Sequence, residues 1–294
     1  MRKLTFTRGL MAAAVAGGLL AGSAIAARAE EEAAINSGSF SLAFQSDFTT
    51  AYFFRGILQE RDGLIWEPSL GLNWKVYESE DGPLKSATIG FGTWASVQTK
   101  DTATSGSGPE SIYETDYYPS VSLAWAGGLT TGFTYYMYTS PNGAFSTVEE
   151  AAVSLAYDDS TYLGAFALKP TATFYFETQN SSLGSGKGKS AVFSIAPSKS
   201  FSILGDAYPI TVTLPVAVGV STDDFYDTAT STNAFGYASM GLNANVPLAF
   251  LPKRFGTWSV TNGFNVMFLG DALEGINQGD AVYPVWTSSL VMSY

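Results

Sequence analysis

Residues 64–77, LIWEPSLGLNWKVY, place Trp66, Pro68, Leu70, Leu72, Trp74 and Val76 on every second position, with Glu67, Ser69, Gly71, Asn73 and Lys75 between them. Strict period two means a β-strand whose two faces meet different surroundings. In a soluble sandwich or barrel the apolar face points inward. In a membrane barrel it meets lipid, and the polar face lines the interior. Deciding between these two orientations decides the compartment.

The alternation recurs along the chain. Residues 39–48, 64–77, 87–98, 113–125, 129–138, 147–157, 162–176, 190–197, 208–220, 234–248, 257–269 and 282–294 each read as a strand. That makes twelve candidates, an even number, as single-chain bacterial outer-membrane barrels have. No long helical periodicity lies between them. The links mostly alternate between longer and shorter, such as TKDTATSGSGPES followed by the tight Gly127-Gly128, which matches external loops and periplasmic turns. Pro197, Pro209 and Pro215 fall inside candidate strands, where a missing donor interrupts the ladder, so the boundaries between 190 and 220 are the least regular. Glu149 and Asn262 also fall out of phase, on apolar faces.

The polar faces favour the membrane reading. A water-facing surface carries about 25–35% charged residues, whereas this chain has 14% overall. Its polar faces are mostly Ser, Thr, Gly, Ala and Asn. Trp66 and Trp74 stand near opposite ends of one strand, roughly 19 Å apart along a membrane normal for a strand tilted by about 45°. Phe40, Trp125, Trp258 and Tyr294 then belong to a periplasmic aromatic girdle, and Tyr113 and Tyr117 to an external one. The last strand ends on Tyr294 with Trp286, Leu290 and Met292 in phase behind it, resembling the signal that outer-membrane assembly machinery reads.

The N-terminus has Arg2, Lys3 and Arg8, an apolar run from Leu10 to about Ala21, and two small-x-small cleavage patterns. This is the anatomy of a secretory signal peptide. Cleavage is expected after Ala29, with Ala26 the second choice. The expected organisation is a signal over 1–29, a short periplasmic segment over 30–38, and one barrel over 39–294. Removing Arg2, Lys3, Arg8 and Arg28 makes the mature chain more acidic than the full-length net charge of −11. A basic nucleic-acid footprint is absent. With no Cys there is neither a disulfide framework nor a thiolate metal site, and with no His the commonest general base and metal ligand are missing. No cofactor and no enzymatic activity are therefore expected.

The stretch SDFTTAYFFRGILQERDGLIWEPSLGL resembles the start of an uncharacterised family of bacterial porin-like outer-membrane barrels. In that family a Ser-Asp-aromatic strand runs into Arg-Gly, and a second strand carries Pro and alternating aliphatics. Ser46, Asp47, Phe48, Tyr52, Arg55, Gly56, Gln59, Pro68 and Leu70 carry the match. The resemblance implies an outer-membrane barrel and brings no reaction with it.

With the apolar faces outward, Asp47, Arg55, Glu67, Lys75, Glu114, Asp116, Lys169 and Glu177 point inward. Opposite charges across a lumen can filter solutes; equally, they can form a network that fills it. Arg55 is expected within salt-bridge reach of an inward acid, with Glu67 nearby. Asp223, Asp224 and Asp227 form an acidic loop that could hold Ca²⁺ or simply be solvated, and their spacing is not that of an EF-hand. GSGKGK at 184–189 opens no helix and is not a phosphate loop. The expected function is porin-like diffusion of small polar solutes or ions with a mild cation preference. The alternative is a closed structural or surface-binding barrel, and a His-free barrel hydrolase is a distant third. Lipid and the assembly machinery are the expected partners.

Overall fold

The computed structural model describes residues 38–100, 108–183, 188–201, 209–227 and 233–294. The expected signal peptide, and the expected periplasmic segment apart from Gly38, lie outside the described residues. The described residues form sixteen strands: β1 (Phe40–Thr49), β2 (Tyr52–Phe54), β3 (Ile57–Glu60), β4 (Ile65–Glu78), β5 (Leu84–Gln98), β6 (Ile112–Trp125), β7 (Leu129–Thr139), β8 (Val148–Tyr157), β9 (Thr171–Gln179), β10 (Lys189–Ile195), β11 (Ser198–Phe201), β12 (Ile210–Thr213), β13 (Val216–Asp223), β14 (Phe235–Pro247), β15 (Thr257–Leu269) and β16 (Val282–Ser293). β10 with β11, and β12 with β13, each form one interrupted stave. The staves pair with their sequence neighbours, and β16 pairs with β1, so the sheet closes as a twelve-stranded antiparallel barrel.

The prolines explain the two interruptions. Pro197 separates β10 from β11, and Pro215 separates β12 from β13. Neither can donate to the ladder, but both still accept: Leu214 N donates to Pro197 O (2.9 Å) and Gly241 N to Pro215 O (2.9 Å). The wall is therefore continuous across both breaks.

One expected strand is corrected. Residues 162–170 are not strand; Ser160–Leu163 form a short helix and Gly164–Phe166 a 3-10 turn, and β9 begins only at Thr171. Asp159 accepts from Leu168 N and Lys169 N, both at 3.0 Å, and so satisfies backbone that a strand would have paired with a neighbour. Lys169, held at φ 50° ahead of Pro170, lies in this link and not on an inward face.

Apolar side chains point outward. Leu72, Phe91 and Phe133 are 52%, 48% and 50% exposed, whereas the alternating Ser69 and Asn73 are 4% and 6% exposed. An aliphatic and aromatic belt on the outside of a closed sheet, with hydroxyls and amides inside, suits lipid rather than water. This is the architecture of a membrane-spanning barrel. Phe40 and Trp74 stack at 5.5 Å on the end where β1 starts and β16 finishes. Trp66 sits on the outer wall near the opposite end, its Nε1 donating to Ser46 Oγ (2.8 Å). Tyr117 and Tyr294 are exposed, while Trp125 and Trp258 are half-buried and donate to Thr131 Oγ1 and Phe255 O.

Tyr113 is not a girdle residue. The β5–β6 ladder pairs Ser96 with Glu114 and Val97 with Ile112, so Tyr113 is a bulge and turns inward. Its ring packs edge-on to Tyr52 at 6.4 Å.

The start of β1 and the end of β16 define one end of the barrel, the terminal end, where Leu42 and Tyr294 exchange backbone hydrogen bonds. The opposite end, the loop end, carries the link from β1 to β4. That link does not loop outward. Its residues form the hairpin β2–β3, a separate two-stranded sheet, and Ala51, Tyr52, Phe53, Phe54 and Ile57 are buried inside the barrel. The aromatic core of the molecule lies there: Tyr52 against Trp94, Phe53 against Tyr283 and Phe54 against Tyr138, with ring centroids 5.1–5.4 Å apart.

Candidate functional site: a charged hairpin tip inside the lumen

Hairpin β2–β3 turns through Arg55 and Gly56, both at positive φ (47° and 85°), between the paired residues Phe54 and Ile57. Positive φ at both central residues is the two-residue turn that matches strand twist. Gly56 is required twice over. A Cβ there would lie 2.7 Å from Leu273 Cδ1 and 3.0 Å from Tyr237 Cβ, besides the strain of its φ. Arg55 in the left-handed region costs about 1–2 kcal/mol, and surrounding contacts hold it. Tyr226 Oη donates to Arg55 O (3.1 Å), Asn277 Nδ2 donates to Gly56 O (2.7 Å), and Leu58 N donates to Asn277 Oδ1 (2.9 Å).

The turn carries the guanidinium into the lumen. Arg55 Nη1 donates to Glu150 Oε2 (2.8 Å) and to Ser190 Oγ (3.0 Å), while Nη2 bonds Glu150 Oε1. The two side chains are 2% and 0% exposed. The Tyr175 ring lies 3.7 Å below the guanidinium carbon, with Phe54 at 4.9 Å and Phe225 at 5.1 Å. Burial works against the charge of Arg55, but the Glu150 carboxylate outweighs it and holds the proton more firmly than usual. Tyr138 Oη also donates to Glu150 (3.1 Å).

Arg55 therefore pairs with an inward acid, but with Glu150 on β8 rather than Glu67 on β4. Glu150 was missed by sequence reasoning, although it is in phase with Ala152, Ser154 and Ala156 on the small, polar face of its strand. A bulge between Glu149 and Glu150 leaves the out-of-phase Glu149 to accept from Tyr135 Oη.

The other expected charges separate into groups. Glu67, Glu114 and Asp116 lie on the walls beside Tyr52, whose hydroxyl donates to Glu114 (2.8 Å), and Asp47 stands opposite Glu67 on β1. Gln45 donates to both oxygens of Asp47. Burial first, then Glu114, Asp116 and Glu67, hold the Tyr52 phenol neutral well above its usual range. Glu177 binds loop backbone, accepting from Ser182 N and Gly188 N at 2.7 Å each. Lys75 is at the terminal end and pairs with Glu78 on its own strand at 2.7 Å. With Lys169 in a link, the expected cation–anion field across the lumen does not form: the acids cluster, and the inward cation Arg55 is neutralised where it sits. In the acidic loop Asp223 pairs with Lys189, and Asp227 accepts from Asn233 N. Among the described residues no group of acids, His or Cys is arranged to hold a metal.

Toward the terminal end the lumen wall changes character. Asn73, Thr88, Asn243 and Ser259 line it, all buried. Asn73 Nδ2 there is buried with no protein partner among the described residues, as are Ser239 Oγ, Asn265 Oδ1, Glu67 Oε1 and Asp116 Oδ1 nearer the loop end.

No protein-family model and no curated protein matches the chain. Among solved structures it is similar to the NanC porin (TM-score 0.44, 8% identity, covering 85% of this chain and 98% of that one). It is also similar to an outer membrane channel from Pseudomonas putida F1 (0.43, 12%, 87% and 94%) and to outer membrane phospholipase A from Escherichia coli (0.44, 11%, 86% and 92%). One of these barrels is a phospholipase by name, so the expectation that this chain is no enzyme is corrected: a barrel of this architecture does not by itself exclude catalysis. At 11% identity that likeness does not make this chain an enzyme either.

Proposed function

We propose that this outer-membrane barrel is shut to free diffusion by hairpin β2–β3 and acts through binding at its outer, loop-end face. The observation that carries this reading is the Arg55–Glu150 pair. Breaking a buried ion pair by removing one partner costs about 3–5 kcal/mol, so a hairpin held by it, and by its aromatic packing, stays in place. The mature barrel, refolded and inserted in a planar bilayer, is expected to give no sustained conductance steps. Stable ohmic steps from the unaltered protein reject the closed reading.

A second reading, a pore for small polar solutes or ions, is favoured by the terminal-end half of the lumen. A lining of Asn, Ser, Thr and Gly, without the large rings of the loop end, suits a water-lined passage better than a permanent plug. In that reading the hairpin is a gate, and the clustered carboxylates make the open state favour cations. The two readings part on whether releasing the hairpin opens the barrel. Export through the N-terminal signal, contact with lipid through the outer belt, and handling by assembly machinery through β16 belong to both.

A further inference from the structure

Between the hairpin and the β6–β8 wall the loop end holds a cavity of about 570 Å³, within the roughly 300–1,000 Å³ of small-molecule sites. Its walls are aromatic. Phe54 from the hairpin meets Tyr138 edge-on at 5.4 Å, and Tyr113 meets Phe145 edge-on at 5.5 Å. Gln59 lines it too, hydrogen-bonded by Tyr113 Oη. The carboxyl of Glu114, a residue 4% exposed, lies at its buried side, and exposed Ser146 and Asn180 lie at its mouth. No Lys or Arg is among the described lining residues.

We infer that this cavity is a binding site for a small organic cation, an ammonium group on a compact apolar body. The inward bulge at Tyr113, read above only as a departure from the girdle, is what brings a fourth ring to it. Ring faces attract a desolvated cation, and quaternary ammonium groups are recognised by such cages. The Glu114 carboxyl, in a low-dielectric recess and hydrogen-bonded by the Tyr52 hydroxyl, focuses negative potential on the same space. An inorganic anion meets no positive group among the described residues there. A hard metal ion needs several oxygen ligands at short range, and among the described residues no group of acids is arranged to hold one. The inference rests on the closed-barrel reading, because the hairpin contributes Phe54 and Gln59.

The test is calorimetric titration of the full mature barrel, in a non-ionic polyoxyethylene detergent, with choline, its neutral carbon isostere 3,3-dimethylbutanol, and glucose. Choline is expected to bind at least about tenfold tighter than the isostere, and glucose not at all. Glu114→Gln is expected to lose that preference, and Phe145→Ala, on a loop outside the wall, to weaken choline severalfold. Equal binding of choline and isostere, preference for glucose, or no binding by the folded barrel overturns the inference. Should Glu114→Gln fail to fold, the isostere comparison in the unaltered protein and Phe145→Ala decide. Conductance from the unaltered barrel would strike the closed-barrel reading instead, so the two failures are told apart.

Discussion

The two halves of the lumen share one wall and are filled in opposite ways. At the loop end the inward positions carry Trp94, Tyr118, Tyr136, Tyr138, Tyr175 and Tyr237, together with buried charge. At the terminal end they carry Asn, Ser, Thr and Gly. Twelve strands enclose more space than their own side chains fill, unlike an eight-stranded barrel. The loop-end half closes that space by importing chain, residues 51–60, and by leaning large rings over inward glycines: a Cβ on Gly92 would lie 1.9 Å from Tyr118 Cε2, and one on Gly219 2.2 Å from Tyr237 Cε1. The terminal-end half lines it with small amides and hydroxyls. One half is packed with rings, the other lined with small polar side chains, within a single sheet.

The sharpest way to break this contrast is to remove the imported chain. Replacing residues 51–60 with a short Gly-Ser link is expected to give sustained planar-bilayer conductance if the terminal-end half is a passage, and a folded but silent barrel if it is not. Next in size, Arg55→Ala or Glu150→Ala alone is expected to cost about 3–5 kcal/mol in urea-induced unfolding. Arg55→Met combined with Glu150→Leu should cost less than either single change, because no charge is stranded. A double change as costly as the sum of the singles would reject the pair as an ion-pair latch.

On the lipid face, Leu72→Lys tests orientation directly. About 2–4 kcal/mol is expected for a charge near the bilayer midplane, and a neutral effect would place that face in water. The phenol of Tyr52 gives a pH test of the dry half. Its folded-state pKa is raised, so its contribution is complete below about pH 10, the ordinary tyrosine value, and is lost as pH rises above it. Stability should fall in alkali, and Tyr52→Phe should flatten that fall; an unchanged alkaline limb defeats the assignment. Smallest of all, Ser239→Ala, on β14 opposite Met267, is expected within about 0.5 kcal/mol, since its hydroxyl has no protein partner to lose.

Much of the architecture was legible because period-two alternation is a local property. Leu70, Leu72 and Trp74 point one way and Ser69, Gly71 and Asn73 the other whatever pairs beside them. The failures came where local phase is broken by a single residue. Tyr113 reads as outward until the β5–β6 bulge turns it in. Residues 162–170 alternate well enough to resemble strand, but Asp159 and Pro170 wind them. The hairpin was hidden for a different reason: Tyr52–Glu60 looks like an external loop with scattered aromatics, and nothing local says that a loop folds back into its own barrel.

The sequence by itself determined the class of fold, the strand count and which face meets lipid, since these follow from alternation, sparse charge and turn spacing. Which carboxylate meets Arg55, and whether the lumen is open, was decided only by the tertiary structure. Glu150 lies 95 residues from Arg55, and it becomes a neighbour only once twelve registers are set, the sheet is closed, and the hairpin is buried between its walls.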